Sequence, residues 1–412
     1  MSKSLTSIPT LVESPFIIAT VGGVTFGSYS GSKNSYGNLN NVIYPNFMRS
    51  IQIVKVNGTV NTYTLTFSYA VRSGQDPNLL DKIFSRAAKD RKITLQYGDW
   101  NSPSDIYKEE VCIITNITCN LNMNSATIDY VLTCTSDAIG LTSTTYNFVG
   151  KEAKPSDVFM DLLRSKKYGL TKVFTGMKDM ENVLRNNLIS SNDKKVKLLP
   201  QNNVDVLSYM SYLTDCMIND SNVGNNAITN SKYFLTVYDD IKNNVGGTYF
   251  KVSEVTNNTK SVNSIDTYEI DVNYPTDNFV TDFRINNEQS WAILYEFNEA
   301  VKQESYSYYI DDNGNMSTRY MPSNLVSTKG EISAAKSSWW TQMTQFPIKA
   351  SITIKGLTRP SILMTYVKLN VVFNGGMKHI SSGLYIITKQ TDTIDSSGYR
   401  TTLEMVRVGE DA

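Results

Sequence analysis

The chain has little of the side-chain chemistry that most enzymes need. Among its 412 residues it has a single histidine, His379, and four cysteines, Cys112, Cys119, Cys134 and Cys216. Many serine, cysteine and metal mechanisms use a histidine as base or ligand, and no cysteine stands in a CxxC or Cys/His pair. Zinc binding and nucleophilic catalysis therefore have little support, and we expect reduced, structural thiols.

Excess charge and long apolar runs are also missing. The 39 basic and 39 acidic residues cancel, which removes the main electrostatic reason to expect a nucleic-acid partner. The apolar run at residues 15–21 is ended by Gly22 and Gly23, so it is too short for a signal peptide or a membrane span. We expect cytosolic synthesis, no membrane insertion and no specific nucleic-acid binding.

The remaining motifs for catalysis or ligand binding are weak. The sequence GGMKHISSG predicts an exposed loop around His379. The glycines at 22, 23 and 27 lack the Lys-Ser/Thr of a phosphate loop and indicate a strand turn. The DDNGN stretch at 311–315 lacks the spacing and the closing Glu of a calcium loop. We predict no catalytic, cofactor-binding or metal-binding residue.

A carbohydrate-directed function stays open as an alternative. Carboxylates are plentiful, but nothing in the sequence singles out the two that a glycosidase needs. Trp339 and Trp340 could stack on a sugar, although on a helix beside a strand one is expected in the core and the other at an interface. A cell-wall-degrading tail hydrolase and a receptor-binding tail protein are the two alternatives.

The first region reads as strands with one helix. Asn57-Gly58 is a strong hairpin signal between two alternating segments, and Asp76-Pro77 has the residues of a helix N-terminus. The predicted strands are 51–56, 62–71, 92–97, 109–122 and 126–135.

The later regions alternate between α+β and β character. In the middle region we predict a helix from Pro155 to about 167 capped by Ser156 or Asp157. The third region returns to strands, and its element order roughly echoes the first without a residue-level repeat. The remaining predicted helices are 204–217, 333–344 and a short one near 287–294, and the remaining strands include 234–238, 249–255 and 348–355.

The chain closes on a predicted hairpin. Apolar and polar residues alternate on both sides of Ser396-Ser397-Gly398, which argues for two strands. Gly398 tolerates the positive φ that a tight antiparallel connection needs.

Three separate segments resemble the phage tail baseplate hub family of the late control D type. They are YPNF-x-x-S-I-x-I with N-x-Y-T-L-x-x-x-Y within residues 44–69, KPSDVFMDLL opening the helix at Pro155, and the closing hairpin. In the hairpin the matching residues are Ser382, Gly383, Tyr385, Ile387, Thr388, Gly398, Tyr399, Thr401, Leu403, Met405 and Arg407.

The resemblance implies a mainly β fold with an α+β insertion. Two tail-tube-like antiparallel β-barrel or sandwich modules, each with a helix, would flank a middle α+β domain. The expected domains are 1–146, 147–262 and 263–412. Tyr385 and Tyr399 are then expected to help close the sheet of the second module.

The same resemblance implies a structural role in a virion. In that family three chains form a ring that adapts the sixfold tail tube to the threefold central spike and lines the channel for genome passage. The implied partners are further copies of the chain, the tail tube protein, the central spike protein, the tape-measure protein and other baseplate proteins. The expected location is the tail baseplate, assembled in the bacterial host cytoplasm, with no cofactor and no enzymatic activity.

Overall fold

The fold is mainly β. The computed structural model describes residues 15–27, 44–45, 47–70, 76–86, 91–99, 108–122, 124–168, 195–216, 232–240, 247–255, 266–271, 280–287, 306–310, 316–320, 348–355, 363, 365–373 and 376–409. Within them one 15-stranded sheet is accompanied by four two-stranded sheets. The predicted mainly β fold with inserted helices is confirmed.

The described residues of the first region form eight strands and one helix, close to the predicted bounds. Gly58 has φ +76° in the turn between the fourth and fifth strands, as the Asn-Gly signal predicts. Before the helix, the Asp76 carboxylate accepts the N–H of Asn78 at 2.9 Å. The bounds are β1 Pro15–Val21, β2 Val24–Gly27, β3 Tyr44–Pro45, β4 Met48–Val56, β5 Thr62–Ala70, α1 Leu79–Arg86, β6 Lys92–Asp99, β7 Lys108–Asn122 and β8 Thr127–Ser136.

The middle region combines short strands with helices around its own core. The Phe148 ring stacks on that of Tyr209 with centroids 3.7 Å apart. Its helices are α2 Gly140–Ser143, α3 Pro155–Arg164 and α4 Val206–Asp215, with 3-10 turns at Asp137–Ile139 and Lys166–Tyr168. Its strands are β9 Thr145–Phe148, β10 Lys151–Ala153, β11 Val196–Leu198, β12 Gln201–Asp205, β13 Lys232–Asp240 and β14 Gly247–Val255.

Two details of these helices differ from the prediction. Helix α3 begins on Pro155 with Lys154 at the N-cap, so Ser156 and Asp157 lie in the first turn and the predicted caps are wrong. Proline suits the first helical position because its φ is already helical and it has no N–H to satisfy. Helix α4 begins at Val206, two residues later than predicted. Asp205 is its N-cap, and the Asp205 carboxylate accepts the Ser208 N–H at 2.8 Å.

The third region contains the remaining strands. The predicted strand 348–355 is found, and Gly398 has φ +117° in the closing turn. The helix predicted at 333–344 with its two tryptophans, the 311–315 stretch and nearly all of the helix predicted near 287–294 lie outside the described residues. The strands are β15 Asp266–Asp271, β16 Val280–Asn287, β17 Tyr306–Ile310, β18 Met316–Tyr320, β19 Ile348–Lys355, β20 Tyr366–Phe373, β21 Met377–Lys378, β22 Gly383–Asp395 and β23 Gly398–Gly409.

Two groups of five antiparallel strands follow the same order in the large sheet. In the first module the neighbours run β4, β5, β8, β7 and β6. In the second module they run β16, β19, β23, β22 and β20. In both, the third strand of the module in chain order lies at one side and the last two form a long hairpin. The echo seen in the sequence is therefore a topological repeat.

Both long hairpins carry a β-bulge at the equivalent place. The pairing register shifts at Thr115 between β7 and β8, and at Thr388 between β22 and β23. In each case the threonine hydroxyl donates to a carbonyl across the hairpin, from Thr115 to Thr133 at 2.9 Å and from Thr388 to Glu404 at 3.2 Å. Bulges re-aim a strand locally, and here they mark the same bend in each module.

The modules are joined edge to edge through β22 and β4. Beyond the bulge, residues 389–394 of β22, here called the distal segment of β22, pair antiparallel with residues 51–56 of β4. The Asn57 N–H donates to the carbonyl of the bulge residue Thr388 at 2.9 Å. An eight-stranded run results, in the order β16, β19, β23, β22, β4, β5, β8, β7.

The described residues form three apolar cores, one in each region, and the closing hairpin contributes to two of them. Tyr385 belongs to the core of the third region, whereas Ile394 and Tyr399 belong to the core of the first. The expectation that Tyr399 closes the second module is wrong, because the distal half of the hairpin lies across the joint. The domain boundaries at 146 and 262 stay a prediction.

Candidate assembly surface

A buried ion pair lies beside the joint between the two modules. Lys55 on β4 faces the first core with its Nζ 2.7 Å from Oε1 of Glu110 on β7, and both side chains are about 4% exposed. The hydroxyl of Tyr63 donates to Glu110 Oε2 at 2.6 Å, and that of Tyr97 donates to Oε1 at 2.5 Å. Both carboxylate oxygens are thus satisfied by strands β4, β5 and β6, as a buried charge requires.

The distal segment of β22 brings a second carboxylate to the same interior. Gln390 is the register partner of Lys55, and its amide donates to Asp392 Oδ2 at 2.8 Å. The Thr401 hydroxyl donates to Asp392 Oδ1 at 2.6 Å. Asp392 and Thr401 are fully buried, so the joint between the modules is polar as well as apolar.

An aromatic contact also joins the two modules. The rings of Tyr97 and Tyr399 are edge to face, with centroids 6.4 Å apart. Tyr97 comes from the first module and Tyr399 from the second, so this pair is a direct contact of the closing hairpin with the first core. Such pairs contribute roughly 0.5–1.5 kcal/mol beyond the area they bury.

The environment shifts the pKa values of these groups. Burial alone raises the pKa of Glu110, but the Lys55 ammonium and the hydrogen bonds from Lys55, Tyr63 and Tyr97 outweigh it and lower the pKa below its usual value. Burial, with the nearby carboxylates of Glu110 and Asp392, raises the pKa of Tyr97 well above 10. Burial and the adjacent Asp392 do the same for Tyr399.

This arrangement stabilises the fold and does not suit catalysis. A glycosidase needs two carboxylates that flank a sugar, yet Glu110 and Asp392 are at most 3% exposed. Their oxygens accept hydrogen bonds from Lys55, Tyr63, Tyr97, Gln390 and Thr401. The sequence does not single out Glu110, because its partners Tyr97, Tyr63 and Lys55 lie 13, 47 and 55 positions away along the chain.

The opposite face of the eight-stranded run carries a line of uncharged polar side chains across five of its strands, whereas Arg400, the register partner of Thr393, and Arg284 on β16 are charged residues of the same face. Across β22, β4, β5, β8 and β7, five register partners form one line, here called the polar row: Thr393, Gln52, Thr64, Thr133 and Asn116. None of the five is buried. In the second module Lys389 and Glu404 on this face neutralise each other, with Nζ 2.6 Å from Oε1.

The distal segment of β7, residues 116–121, exposes apolar side chains. Leu121 is 72% exposed and Ile117 is 41% exposed, and Cys119 between them is also exposed. Because side chains alternate along a strand, these three share the face on which their partners Tyr130 and Leu132 are buried. An apolar sheet face therefore extends beyond the part that the fold covers.

His379 and the two glycines considered in the sequence analysis lie in separate turns. His379 is exposed in the turn before β22, with Nδ1 2.6 Å from the Ser381 hydroxyl and its ring 5.5 Å from that of Phe373. Gly22 and Gly23 have φ +56° and +79° in the turn between β1 and β2, as the strand-turn interpretation predicts.

The cysteines are free thiols. Cys112 and Cys134 are buried, whereas Cys119 is exposed and so departs from the expected structural role. Within the described ranges no group of three or more His, Cys, Asp or Glu side chains could hold a metal ion. In that same part of the chain, no helix has the length and apolarity to cross a membrane.

Several solved structures are similar to the chain. The tail protein from Neisseria meningitidis MC58 is 9% identical, with a TM-score of 0.48 over 96% of this chain and 97% of that one. The 43 kDa tail protein of prophage MuSo2 from Shewanella oneidensis is 12% identical, with a TM-score of 0.47 over 96% and 98%. The E. coli c3393 protein, a type VI secretion component, is 10% identical, with a TM-score of 0.42 over 87% and 73%.

Two of these similar structures are tail proteins. Comparison with protein-family models gives no match, and no curated protein matches the chain.

Proposed function

We propose that the chain is a structural baseplate hub of a bacteriophage tail. Three copies form a ring that adapts the sixfold tail tube to the threefold central spike and lines the channel for genome passage. The observation that carries this proposal is the pair of equivalently ordered modules in one chain, joined edge to edge through β22 and β4.

The repeat of two similar modules in one chain supports the proposed change from sixfold to threefold symmetry. Two similar modules in one chain allow three chains to present six similar faces on one side of a ring. The parts that differ between modules retain threefold symmetry on the other side. In this chain the modules differ beside the repeat, because β6 continues antiparallel into β1 whereas β20 continues parallel into β15.

The polar row supports the channel. Threonine, asparagine and glutamine side chains hydrogen-bond to water and carry no charge, so a wall of them holds neither an anionic genome nor a protein tape by salt bridges. The facing ion pair of Lys389 and Glu404 leaves no net charge from those two residues. The polar row is therefore assigned to the channel wall.

The partners follow from the position of a hub. They are the tail tube protein on one side, the central spike protein on the other, the tape-measure protein in the channel, and other baseplate proteins around the ring. The chain belongs in the virion tail baseplate after assembly in the host cytoplasm, and its role is adhesion between protein rings without catalysis.

Co-expression tests the proposal. The full chain is co-expressed with a central spike protein from the same phage, and the purified complex is weighed by native mass spectrometry and imaged by electron microscopy. The expected result is a 3:3 complex with an open central channel. A spike that binds at another ratio, or not at all, would overturn the hub assignment.

The hydrolase alternative has its own assay. Purified chain is added to a peptidoglycan suspension and turbidity is followed, and the hub proposal expects no loss. A loss that a single Asp or Glu substitution abolishes would instead establish the hydrolase.

A further inference from the structure

The pairing of β22 with β4 inside the chain suggests how two chains could pair with each other. Along the distal segment of β22, the residues facing the core are Gln390, Asp392 and Ile394, and all three are at most 3% exposed. They are covered because β4 pairs with the outer edge of this segment, with Asp392 opposite Ile53 and Ile394 opposite Ile51.

In the part of the chain that the structure describes, the equivalent segment of the first module has no such cover. The bulges at Thr115 and Thr388 align the two long hairpins, so Ile117, Cys119 and Leu121 correspond to Gln390, Asp392 and Ile394. Within the described part of the chain, β7 beyond Ile114 pairs with β8 alone. Positions that are buried in one module are thus exposed in the other.

The strand that corresponds to β4 is β16. The strand registers show this. In the first module the successive partners on β4, β5 and β8 are Ile51, Leu65 and Leu132. In the second module the successive partners on β16, β19 and β23 are Phe283, Ile352 and Leu403. Phe283 and Ile285 therefore stand where Ile51 and Ile53 stand. Both are only half-buried, whereas Ile51 and Ile53 are completely buried.

β16 also ends the eight-stranded run opposite to β7. The two strands lie at opposite ends of the run, so each can repeat the joint only with a second molecule. In the second module, β4 fills the place beside the distal segment of β22. Because β16 is the equivalent of β4, the strand that fits beside the distal segment of β7 is β16 of another copy of this chain.

We propose that β16 of one copy pairs antiparallel with the distal segment of β7 of the next copy. The register copies the internal joint, placing Leu121 opposite Phe283, Cys119 opposite Ile285, and Ile117 opposite Asn287. The ring of three copies that this contact closes rests on the proposed hub function, whereas the contact itself rests on the repeat.

The contact has a physical reason and a geometric consequence. It removes exposed apolar side chains from water and pairs two sheet edges that would otherwise invite aggregation. Because the two surfaces differ, it is a head-to-tail contact, which generates a ring when the rotation closes and a filament when it does not. It also gives the exposed Cys119 a neighbour across the interface.

Cysteine cross-linking tests the register. The full chain carrying Ile285→Cys retains the native Cys119, and mild oxidation should link chains into covalent dimers and trimers on non-reducing gels. A short bifunctional methanethiosulfonate is used in parallel for pairs slightly too far apart for a disulfide. Arg284→Cys is the matched control, because the neighbouring side chain points to the other face and should give at least tenfold less product.

Mixing identifies the contact as one between chains. A chain with Ile285→Cys and Cys119→Ser is combined with unmodified chain, and dimers alone are expected. Equal cross-linking by Arg284→Cys and Ile285→Cys would overturn the register.

A surface substitution tests the interface without the cross-link. Leu121→Asp places a charge on a side chain that is 72% exposed in the single chain, so the fold should be retained while self-association falls at least tenfold. Val149→Asp, at an 84% exposed position in the middle region, is the control and should associate normally. Unchanged association of the Leu121 variant would overturn the proposal.

The outcomes separate this inference from the hub function. A three-copy ring that resists cross-linking at Ile285 would overturn the register and leave the hub standing. Cross-linked chains that fail to bind the spike at 3:3 would support the contact and overturn the hub. A chain that stays monomeric even with the spike would overturn both.

Discussion

The Nζ of Lys55 lies 2.7 Å from Oε1 of Glu110, and both side chains are about 4% exposed. The two residues come from β4 and β7, 55 positions apart in the chain. Removing one partner of a buried ion pair leaves an uncompensated charge, which is the costly case. This relationship makes the polar interior of the first module directly testable.

Lys55→Met should destabilise the fold strongly. The substitution leaves the Glu110 carboxylate buried without its cation, at an expected cost of about 3–5 kcal/mol. The free energy of unfolding is measured by urea titration followed by circular dichroism. The double variant Lys55→Met/Glu110→Gln removes both charges and should lose much less.

An exposed pair provides the control for that measurement. Lys82 Nζ lies 2.6 Å from Asp76 Oδ2 at the surface near α1, and exposed pairs contribute about 0–1 kcal/mol. Lys82→Met should therefore change stability far less than Lys55→Met does. If Lys55→Met costs no more than Lys82→Met, the buried pair does not hold the module together.

Stability should fall in acid because of Glu110. Its pKa is lowered in the folded chain, so its stabilising contribution is complete above the usual value of 4.5 and is lost as the pH falls through the lower folded value. Between pH 5 and 3, on the scale of carboxyl titration, the unfolding free energy of the unmodified chain should fall more steeply than that of Lys55→Met/Glu110→Gln.

The titration of other carboxylates affects the unmodified chain and the double variant equally, so it cancels when their pH profiles are compared. The pKa values of Asp76 and Asp395 are also lowered, but both residues are present in the two proteins. Parallel pH profiles would show that Glu110 carries no share of the acid sensitivity.

Alkaline pH should destabilise the fold through Tyr97 and Tyr399. Both pKa values are raised well above 10, so their contribution is complete below pH 10 and is lost at higher pH, where tyrosines of the unfolded chain ionise first. Tyr97→Phe should cost about 1–3 kcal/mol at neutral pH, since Glu110 loses a hydrogen bond. Its stability should then fall less steeply above pH 10.

The alkaline profile is measured by urea titration at a series of pH values. Tyr168→Phe, in the middle region, controls for the general effect of losing a hydroxyl. Tyrosinate absorbance of the folded chain provides a second reading, and full ionisation of every tyrosine near pH 10 without unfolding would contradict the expectation.

Thiol labelling should locate the polar row in the channel. In a Cys119→Ser background, Thr64→Cys in the assembled ring should react with a small maleimide but not with maleimide attached to a large dextran. Val149→Cys, at an 84% exposed site, should react with both. Adding Leu121→Asp to dissociate the ring should open position 64 to the large probe, and equal reaction with both probes in the ring would place the row outside the channel.

Local elements were predictable from the sequence. Strand 348–355, the Asn57-Gly58 hairpin and the closing hairpin follow from period-2 alternation and turn residues, which act over a few positions. The caps of α3 were misjudged because Ser156, Asp157 and Lys154 compete within one turn and Pro155 decides the start. Such one-residue choices depend on backbone detail.

The candidate surface was less accessible to sequence reasoning. Leu121 and Ile117 alternate as any half-buried strand does, so their exposure could not be distinguished from burial. The matching bulges at Thr115 and Thr388 do not stand out in the sequence, because the two hairpins share only the short pattern Ile-Ile-Thr-x-x-Thr, at 113–118 and 386–391. A search for equal spacing between a threonine and the hairpin turn could have found them.

Alternation, turn glycines and helix starts in this chain specify strands, hairpins and helices, because each signal concerns neighbours along the backbone. The partners of those elements were settled by packing alone: β4 beside β22, Glu110 against Lys55, and Tyr399 in the first core instead of the second. Pairing between distant strands depends on which complete set of contacts buries the most apolar surface while satisfying every polar group. No local stretch of sequence contains that sum.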